Sequence, residues 1–341
     1  MKTKWWHVEG EQLNQHPAIF EAAELLKQGE LVAFPTETVY GLGADATNRD
    51  AVAKIFIAKG RPQDNPLIVH VANKAQLKTL VTEIPSYVDP LIDAFSPGPI
   101  TYVLPSNGTC ASNVTAGLST VALRIPDHPV AKQLLLACQL PIAAPSANTS
   151  GKPSPTMASH VWEDLNGKIA GVLDGGRTGV GLESTVVDCT GDVPVILRPG
   201  GITREQIEQV VDMQVLHHVL TEQHDDQPMA PGMKYPHYAP DVPLWIVAGN
   251  REHIQKVIDE EQAKQKKVGV LGSDHIVAGL KADKIVSLGN DLHEIAVNLF
   301  AGLRSFRHDE VDLIICEAFP ETGIGVAIMN RLNKAASKRL S

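Results

Sequence analysis

The sequence predicts an α/β protein of two domains: a first with a twisted mixed sheet and flanking helices, and a second that is smaller and Rossmann-like. Three observations carry this expectation. Short β-branched apolar runs alternate with segments whose apolar residues recur at helical spacing. Several runs follow one another with no helix between them, which makes the sheet mixed and not purely parallel. At 341 residues the chain is also long for a single core.

Pro17 to Gln28 sets Ile19, Ala22, Ala23 and Leu26 on one stripe with Gly29 behind it, a helix that leads into a strand at Leu31 to Phe34. Asp50 to Lys59 puts Val52, Ile55 and Phe56 on one stripe, Gly60 stands just past the helix end, and Pro62 confirms the stop. Pro66 to Val71 is apolar and β-branched apart from His70, which suits a buried strand. Further strands are expected near 100–104, 120–125, 140–144, 169–174, 184–189 and 194–198, with helices near 73–81, 129–138, 155–165 and 203–212. Thr203 with Gln206 makes a capping box for the last of these.

The first domain is therefore set at 1–212. Residues 213–241, crowded with Pro, His and Asp, form a linker, yet Met233-Lys234-Tyr235-Pro236-His237-Tyr238 is too aromatic and basic for a plain spacer and is expected to fold onto something. The second domain, 242–341, alternates strands at 244–247, 267–271, 284–288 and 311–316 with helices at 250–264, 291–306 and 326–338.

Composition is that of an ordinary globular protein, 43% hydrophobic and 20% charged. No apolar run approaches the roughly 20 residues that span a bilayer, and Met1 to His7 lacks the apolar core of a signal peptide, so a cytoplasmic protein with no membrane partner is expected. Cys110, Cys138, Cys189 and Cys316 are scattered without metal spacing, which indicates neither zinc nor a disulfide framework. The net charge of -9 advertises no nucleic-acid partner.

Polar clusters gather at strand ends. Lys59-Gly60-Arg61-Pro62, then Asn65-Pro66-Leu67 and His70, put two cations at a helix end beside a strand carrying an imidazole. Lys59 also reads as a helix-dipole partner, and His70 as a satisfied core residue. Pro145 to Ser154, which includes Ser146, Asn148 and Ser154, is a loop dense in hydroxyls and backbone amides; it can cradle phosphate oxygens or serve as a Ser-rich turn. Arg124 lies inside the apolar strand after Thr120, where a guanidinium needs an anionic partner, a bound carboxylate or a structural salt bridge. Arg198 closes another strand beside a helix start and fits a phosphate or an open surface equally well. Gly41 to Ala46 satisfies GxGxxA, but Pro35 to Thr38 intervene after the strand, and no GxxxxGK[ST] occurs. Jointly the clusters point to a polyanionic small molecule bound by electrostatic positioning.

At these residues the chain resembles the YrdC-type threonylcarbamoyl-AMP synthases, in the long form with a second C-terminal domain. The resemblance rests on FPTETVYGLG at 34–43, KGRPQDNPLIVH at 59–70, SPGPITYVL at 96–104, TVALRIPDHP at 120–129, APSANTSGKPSPT at 144–156, LESTVVD at 182–188, LRPGGIT at 197–203, PGMKYPHYAP at 231–240 and IGVAIMNRLNKAA at 324–336. It implies that L-threonine, bicarbonate and ATP give L-threonylcarbamoyladenylate and pyrophosphate, the first step in modifying the adenosine beside a tRNA anticodon. It also implies that Thr38, His70, Arg124, Ala144 and Ser184 hold threonine. Arg61, Asn65, Thr120, Ser146, Ser154, Arg198 and His237 would hold ATP, with Asn148 close by.

Lys59 and Arg61 are then the expected catalytic cations, Mg2+ is expected to ride mainly on the ATP phosphates with no protein ligand cluster, and the linker would close over the nucleotide. The product would pass to a tRNA threonylcarbamoyl transferase complex, with at most weak tRNA contact, and the C-terminal domain is assigned a docking or regulatory role. Two rivals stand beside this reading: a tRNA-binding module without turnover, and a dinucleotide-dependent oxidoreductase.

Overall fold

The computed structural model describes residues 2–10, 12–217 and 237–340. The described residues fall into two compact units, one of residues 2–150, 155–179 and 183–217, the other of 151–154, 180–182 and 237–340. Most of the expected linker, including Tyr235 and Pro236, lies outside the described residues.

The first unit is built on eleven strands: β1 (Lys4–His7), β2 (Val32–Phe34), β3 (Gly41–Asp45), β4 (Ile68–His70), β5 (Ile100–Pro105), β6 (Thr120–Arg124), β7 (Ile142–Ala143), β8 (Gly171–Asp174), β9 (Thr185–Asp188), β10 (Val195–Arg198) and β11 (Leu216–His217). Its helices are α1 (Pro17–Lys27), α2 (Arg49–Lys59), α3 (Lys74–Lys78), α4 (Val88–Phe95), α5 (Pro129–Cys138), α6 (Ala158–Leu165) and α7 (Arg204–Val211). The strands join in the order β1-β8-β2-β3-β7-β4-β6-β5-β9-β10-β11. Parallel pairs such as β4 with β6 alternate with antiparallel ones such as β5 with β6, so the sheet is mixed as expected.

The expected elements appear with small changes of boundary, and five elements of this unit were not anticipated: a short 3-10 helix at Leu13–Gln15, β1, β3, α4 and β11. Gly41 to Ala46, which satisfies the GxGxxA dinucleotide pattern, instead supplies β3 (Gly41–Asp45), antiparallel to β2 and β7. Its glycines are required by close packing. A Cβ on Gly43 would stand 2.9 Å from the Phe34 ring and 3.0 Å from Ile142. The helix expected over 73–81 is only the short α3, opened by the Asn73 side chain.

Because side chains alternate across a strand, the sheet has two different faces. One face buries Val69, Val121, Leu123, Ala143, Tyr102 and Val187 in the main core, together with the apolar stripe of α2. On the other, Val32, Phe34, Ile142 and Ala144 pack with α1 and α5, while Ile68, Val103, Ala122, Val186 and Leu197 form a separate small apolar cluster.

The second unit carries five parallel strands, β12 (Leu244–Val247), β13 (Val268–Gly272), β14 (Lys284–Ser287), β15 (Leu313–Glu317) and β16 (Lys338–Leu340), in the order β14-β13-β15-β12-β16. Helices α8 (Arg251–Gln262), α9 (Asp274–Val277), α10 (Leu292–Arg304) and α11 (Gly325–Ala335) connect them, which gives the expected Rossmann-like winding. The last helix stops short of the expected 338 because Lys338–Leu340 pairs with β12 as an edge strand. Among the described residues no helix is long and apolar enough to cross a membrane.

Candidate active site

The site is assembled on the sheet face that carries the small apolar cluster. His70 of β4 is the register partner of Arg124 on β6 and of Ile142 on β7, so the three side chains point the same way. Alternation adds Ala122 and Thr120 on β6, and Val103 and Thr101 on β5. Val186 of β9 pairs with Thr101 and with Arg198 of β10, and Ser184 stands two residues before Val186. Five expected ligand residues, His70, Thr120, Arg124, Ser184 and Arg198, therefore share one face over an apolar floor.

These side chains are charged or polar, yet mostly buried: His70 is 3% exposed, Arg124 4%, Arg198 5% and Ser184 0%. Burial of such groups is costly unless they are paired or hold a ligand. Arg124 donates from Nη2 to Glu37 Oε1 at 2.6 Å and from Nε to the Gly98 carbonyl at 3.3 Å. The salt-bridge reading of Arg124 is thus realised, by an acid that sequence reasoning did not select. Arg198 donates to the Ser184 carbonyl from Nε and Nη2 at 3.3 and 2.9 Å, and to Ser184 Oγ at 3.3 Å. Ser184 Oγ in turn meets Thr101 Oγ1 at 2.7 Å.

His70 has no partner at Nδ1 among the described residues, and the Phe34 ring meets it edge-on with centroids 6.1 Å apart. Burial first, and the neighbouring Arg124 guanidinium second, push its pKa down to about 3. The imidazole is neutral at physiological pH, so it offers Nδ1 or Nε2 as a hydrogen-bonding group and no charge.

Thr38 lies in the loop between β2 and β3, fully buried, its hydroxyl 2.8 Å from that of Thr36. Ala144 follows β7, and its N–H donates to the Ile68 carbonyl at 2.9 Å, which leaves its carbonyl as the backbone group it can offer a ligand.

A second cluster forms where α2 ends. Gly60 adopts the left-handed conformation at φ 61, its N–H donating to Ile57 and that of Arg61 to Phe56, the double closure that ends a helix sharply. This geometry sends Lys59 and Arg61 in different directions. Arg61 Nη2 reaches the Pro66 carbonyl at 3.3 Å. Lys59 is 2% exposed and donates from Nζ to the carbonyls of Ser146 and Asn148, both at 2.5 Å. The Lys59 carbonyl accepts from Ser150 N at 2.8 Å. Asp164 of α6 adds a contact, its Oδ2 accepting from Thr149 N at 3.1 Å, and Tyr40 O accepts from Ala147 N at 2.8 Å.

Residues 146–150 are therefore pinned from three directions, and two of the Lys59 ammonium protons are engaged in holding them. Asn65 is buried at 1% exposure, and neither its Oδ1 nor its Nδ2 meets a hydrogen-bonding group of the protein among the described residues. A buried amide in that state has hydrogen-bonding capacity left to offer.

Ser154 and His237, the remaining expected ATP residues, group with the second unit. There the Gly151 carbonyl accepts from Ala239 N at 2.9 Å, and the His237 ring lies 5.6 Å from that of Tyr238.

Sequence reasoning missed Glu37, Thr101 and Asp164. Glu37 and Thr101 lie inside two of the quoted motif blocks, FPTETVYGLG and SPGPITYVL, and only the three-dimensional pairing distinguishes them from their neighbours.

Comparison with known proteins agrees with this architecture. Residues 24–200 match the Sua5_yciO_yrdC family, described as Telomere recombination, and residues 202–337 match the Sua5_C family, described as Threonylcarbamoyl-AMP synthase, C-terminal domain. A Threonylcarbamoyl-AMP synthase of Bacillus subtilis is 53% identical over 100% of this chain and 99% of its own length. One from Pyrococcus abyssi is 49% identical over 94% of each chain. The crystal structure of P. abyssi Sua5 complexed with L-threonine superposes with a TM-score of 0.90 at 44% identity, covering 100% of both chains.

Proposed function

The chain belongs to the threonylcarbamoyl-AMP synthase family and makes threonylcarbamoyl-AMP, and we propose that it does so by joining L-threonine, bicarbonate and ATP on the ligand face of the first unit. The observation that carries this reading is the convergence of His70, Arg124, Ser184 and Arg198 on one sheet face beside the clamped 146–150 loop.

Arg124 receives the threonine carboxylate, with His70 and Ser184 as neutral partners, Thr38 beside them and the Ala144 carbonyl facing the ammonium. The amine must lose its proton before it attacks bicarbonate; the C–N bond forms, water leaves, and a carbamate results. A carbamate oxygen then attacks the α-phosphorus of ATP, and the bond to the β-phosphate oxygen breaks, which makes this a nucleotidyl transfer. The balance is threonine, bicarbonate and ATP to threonylcarbamoyl-AMP, pyrophosphate and water.

Negative charge accumulates on the phosphoryl oxygens in the second step, and preoriented cations and amides lower its energy. Arg61, Arg198 and Asn65, with Thr120, the Ser146 hydroxyl and the Asn148 side chain, supply that environment. Lys59 fixes the loop that presents them and adds its charge nearby.

Among the described residues no group of three or more His, Cys, Asp or Glu could hold a metal ion. Mg2+, where it takes part, would enter on the ATP phosphates with water completing its shell and neutralise the leaving pyrophosphate. The product carries an activated threonylcarbamoyl group, the donor for a tRNA adenosine beside the anticodon.

Pyrophosphate release from ATP, with threonine and bicarbonate omitted in turn and serine substituted for threonine, tests the reading. Release that requires all three supports it; release indifferent to threonine overturns it.

A further inference from the structure

We propose that Glu37 is a positioning residue for threonine binding, acting through Arg124. This rests on the reading above, in which Arg124 receives the threonine carboxylate.

Glu37 immediately precedes Thr38, in the loop between β2 and β3. Its Oε1 accepts from Arg124 Nη2 at 2.6 Å and its Oε2 from the Asp127 N–H at 3.1 Å. The guanidinium is also held through Nε by the Gly98 carbonyl, at 3.3 Å. Two of its three nitrogens are therefore engaged, and Nη1 has no partner among the described residues. Side-chain exposure is 4% for Arg124 and 12% for Glu37, so the pair is shielded from bulk water.

A carboxylate this close has two opposing effects. It cancels the charge that would attract a substrate carboxylate, and it locks a long, rotamer-rich side chain in one orientation. The second effect prevails here for two reasons. Without Glu37 the guanidinium would be a buried charge with one neutral acceptor, a costly state that it would relieve by turning away. The Asp127 contact, moreover, anchors the carboxylate itself, so the pair is a fixed frame with the Nη1 protons and the second Nη2 proton as its remaining donors.

The opposite assignment, in which Glu37 occupies the threonine carboxylate's place and must be displaced, makes the opposite prediction. Initial rates of pyrophosphate release on the full-length protein separate the two. Wild type is measured first, and absence of threonine-dependent release there sinks the functional reading itself. Given that release, Glu37→Ala raises the KM for threonine about tenfold or more, the equivalent of about 1.4 kcal/mol, and leaves the KM for ATP within about twofold.

Glu37→Gln, which keeps an amide oxygen for Nη2, recovers most of the loss. In an Arg124→Ala background, adding Glu37→Ala changes nothing further. An unchanged or lowered threonine KM in Glu37→Ala, parallel rises for both substrates, or an added loss in the Arg124→Ala background overturns the proposal. If Glu37→Ala does not fold by circular dichroism, Glu37→Asp carries the test: it keeps the charge but withdraws the oxygen, and a wild-type threonine KM there overturns the proposal equally.

Discussion

His70 and Arg124 are register partners on adjacent parallel strands, a neutral imidazole beside a guanidinium on one face of the sheet. Each explains the state of the other. The cation helps to keep the buried imidazole unprotonated, and the unprotonated imidazole leaves the cation to its carboxylate partner. The face therefore carries one guanidinium, paired with Glu37, and not two cations that repel each other.

This pairing predicts a pH dependence of stability. The His70 pKa is pushed down to about 3 in the fold, while an unfolded histidine titrates near 6.5. Between those values the unfolded chain binds a proton that the folded chain refuses, so stability falls as pH falls through that window, by up to about 1.4 kcal/mol per pH unit. Above 6.5 the group contributes no slope. Urea midpoints of wild type and His70→Gln at pH 7.5, 6 and 5 check this: the variant should lose less stability on acidification. Equal losses in both would show that His70 is not the group responsible.

Lys59 predicts a combined defect. As an expected catalytic cation, Lys59 should be needed for turnover; its buried clamp on Ser146 and Asn148 adds a stability cost to its removal. Two carbonyls lose their donor, at about 1–3 kcal/mol each where they remain dry. Lys59→Ala is therefore expected to lower the melting temperature and to abolish adenylate formation. Lys59→Met, which fills the same volume, should recover part of the stability and none of the activity. Recovery of activity in the methionine variant would mean that the ammonium is not needed.

Much of this was legible in the sequence, for reasons that differ by element. The apolar stripe of α2, its Gly60 stop and the β-branched run into His70 are local signals, and the structure follows them. β3 was obscured because Gly41-Leu42-Gly43 has the composition of a turn, and the need for glycine there comes from Phe34 and Ile142 on other strands. For the site, strand-end cations could be listed from sequence, but not their partners. That Ser184 meets Thr101, 83 residues away, follows from the β5–β9 pairing, and that Arg124 meets Glu37, 87 residues away, from the path of the loop between β2 and β3.

Gly200 predicts that the Ser184–Arg198 geometry depends on backbone contact. A Cβ at this position would lie 2.3 Å from Thr185 N and 2.4 Å from the Glu183 carbonyl oxygen and from Ser184 C. These are backbone atoms, so they yield only if the segment shifts. Gly200→Ala should cost about 1–3 kcal/mol as an overpacked contact and displace both Ser184 and Arg198. Thermal melting and the KM values for threonine and ATP should worsen together. A variant with a wild-type melting temperature and wild-type KM values would show that the two segments separate freely.

Thr101 supplies the most specific test of the threonine-binding assignment. Its hydroxyl is fully buried and meets Ser184 Oγ at 2.7 Å, while Arg198 donates to the same Ser184 oxygen at 3.3 Å. The serine hydroxyl accepts from Arg198, so its own proton is directed either at Thr101 or at a ligand, and Thr101 determines which is available. Thr101→Val keeps the shape and removes the hydroxyl, a change worth about 0.5–1.5 kcal/mol for one neutral hydrogen bond. The expected result is a rise of several-fold in threonine KM with ATP KM unchanged, restored by Thr101→Ser. Ser184→Ala should produce the same split, and the double variant should be no worse than Ser184→Ala alone. Additive losses would mean that Thr101 acts on the sheet and not on Ser184. Equal effects on both substrates would remove Ser184 from the threonine set.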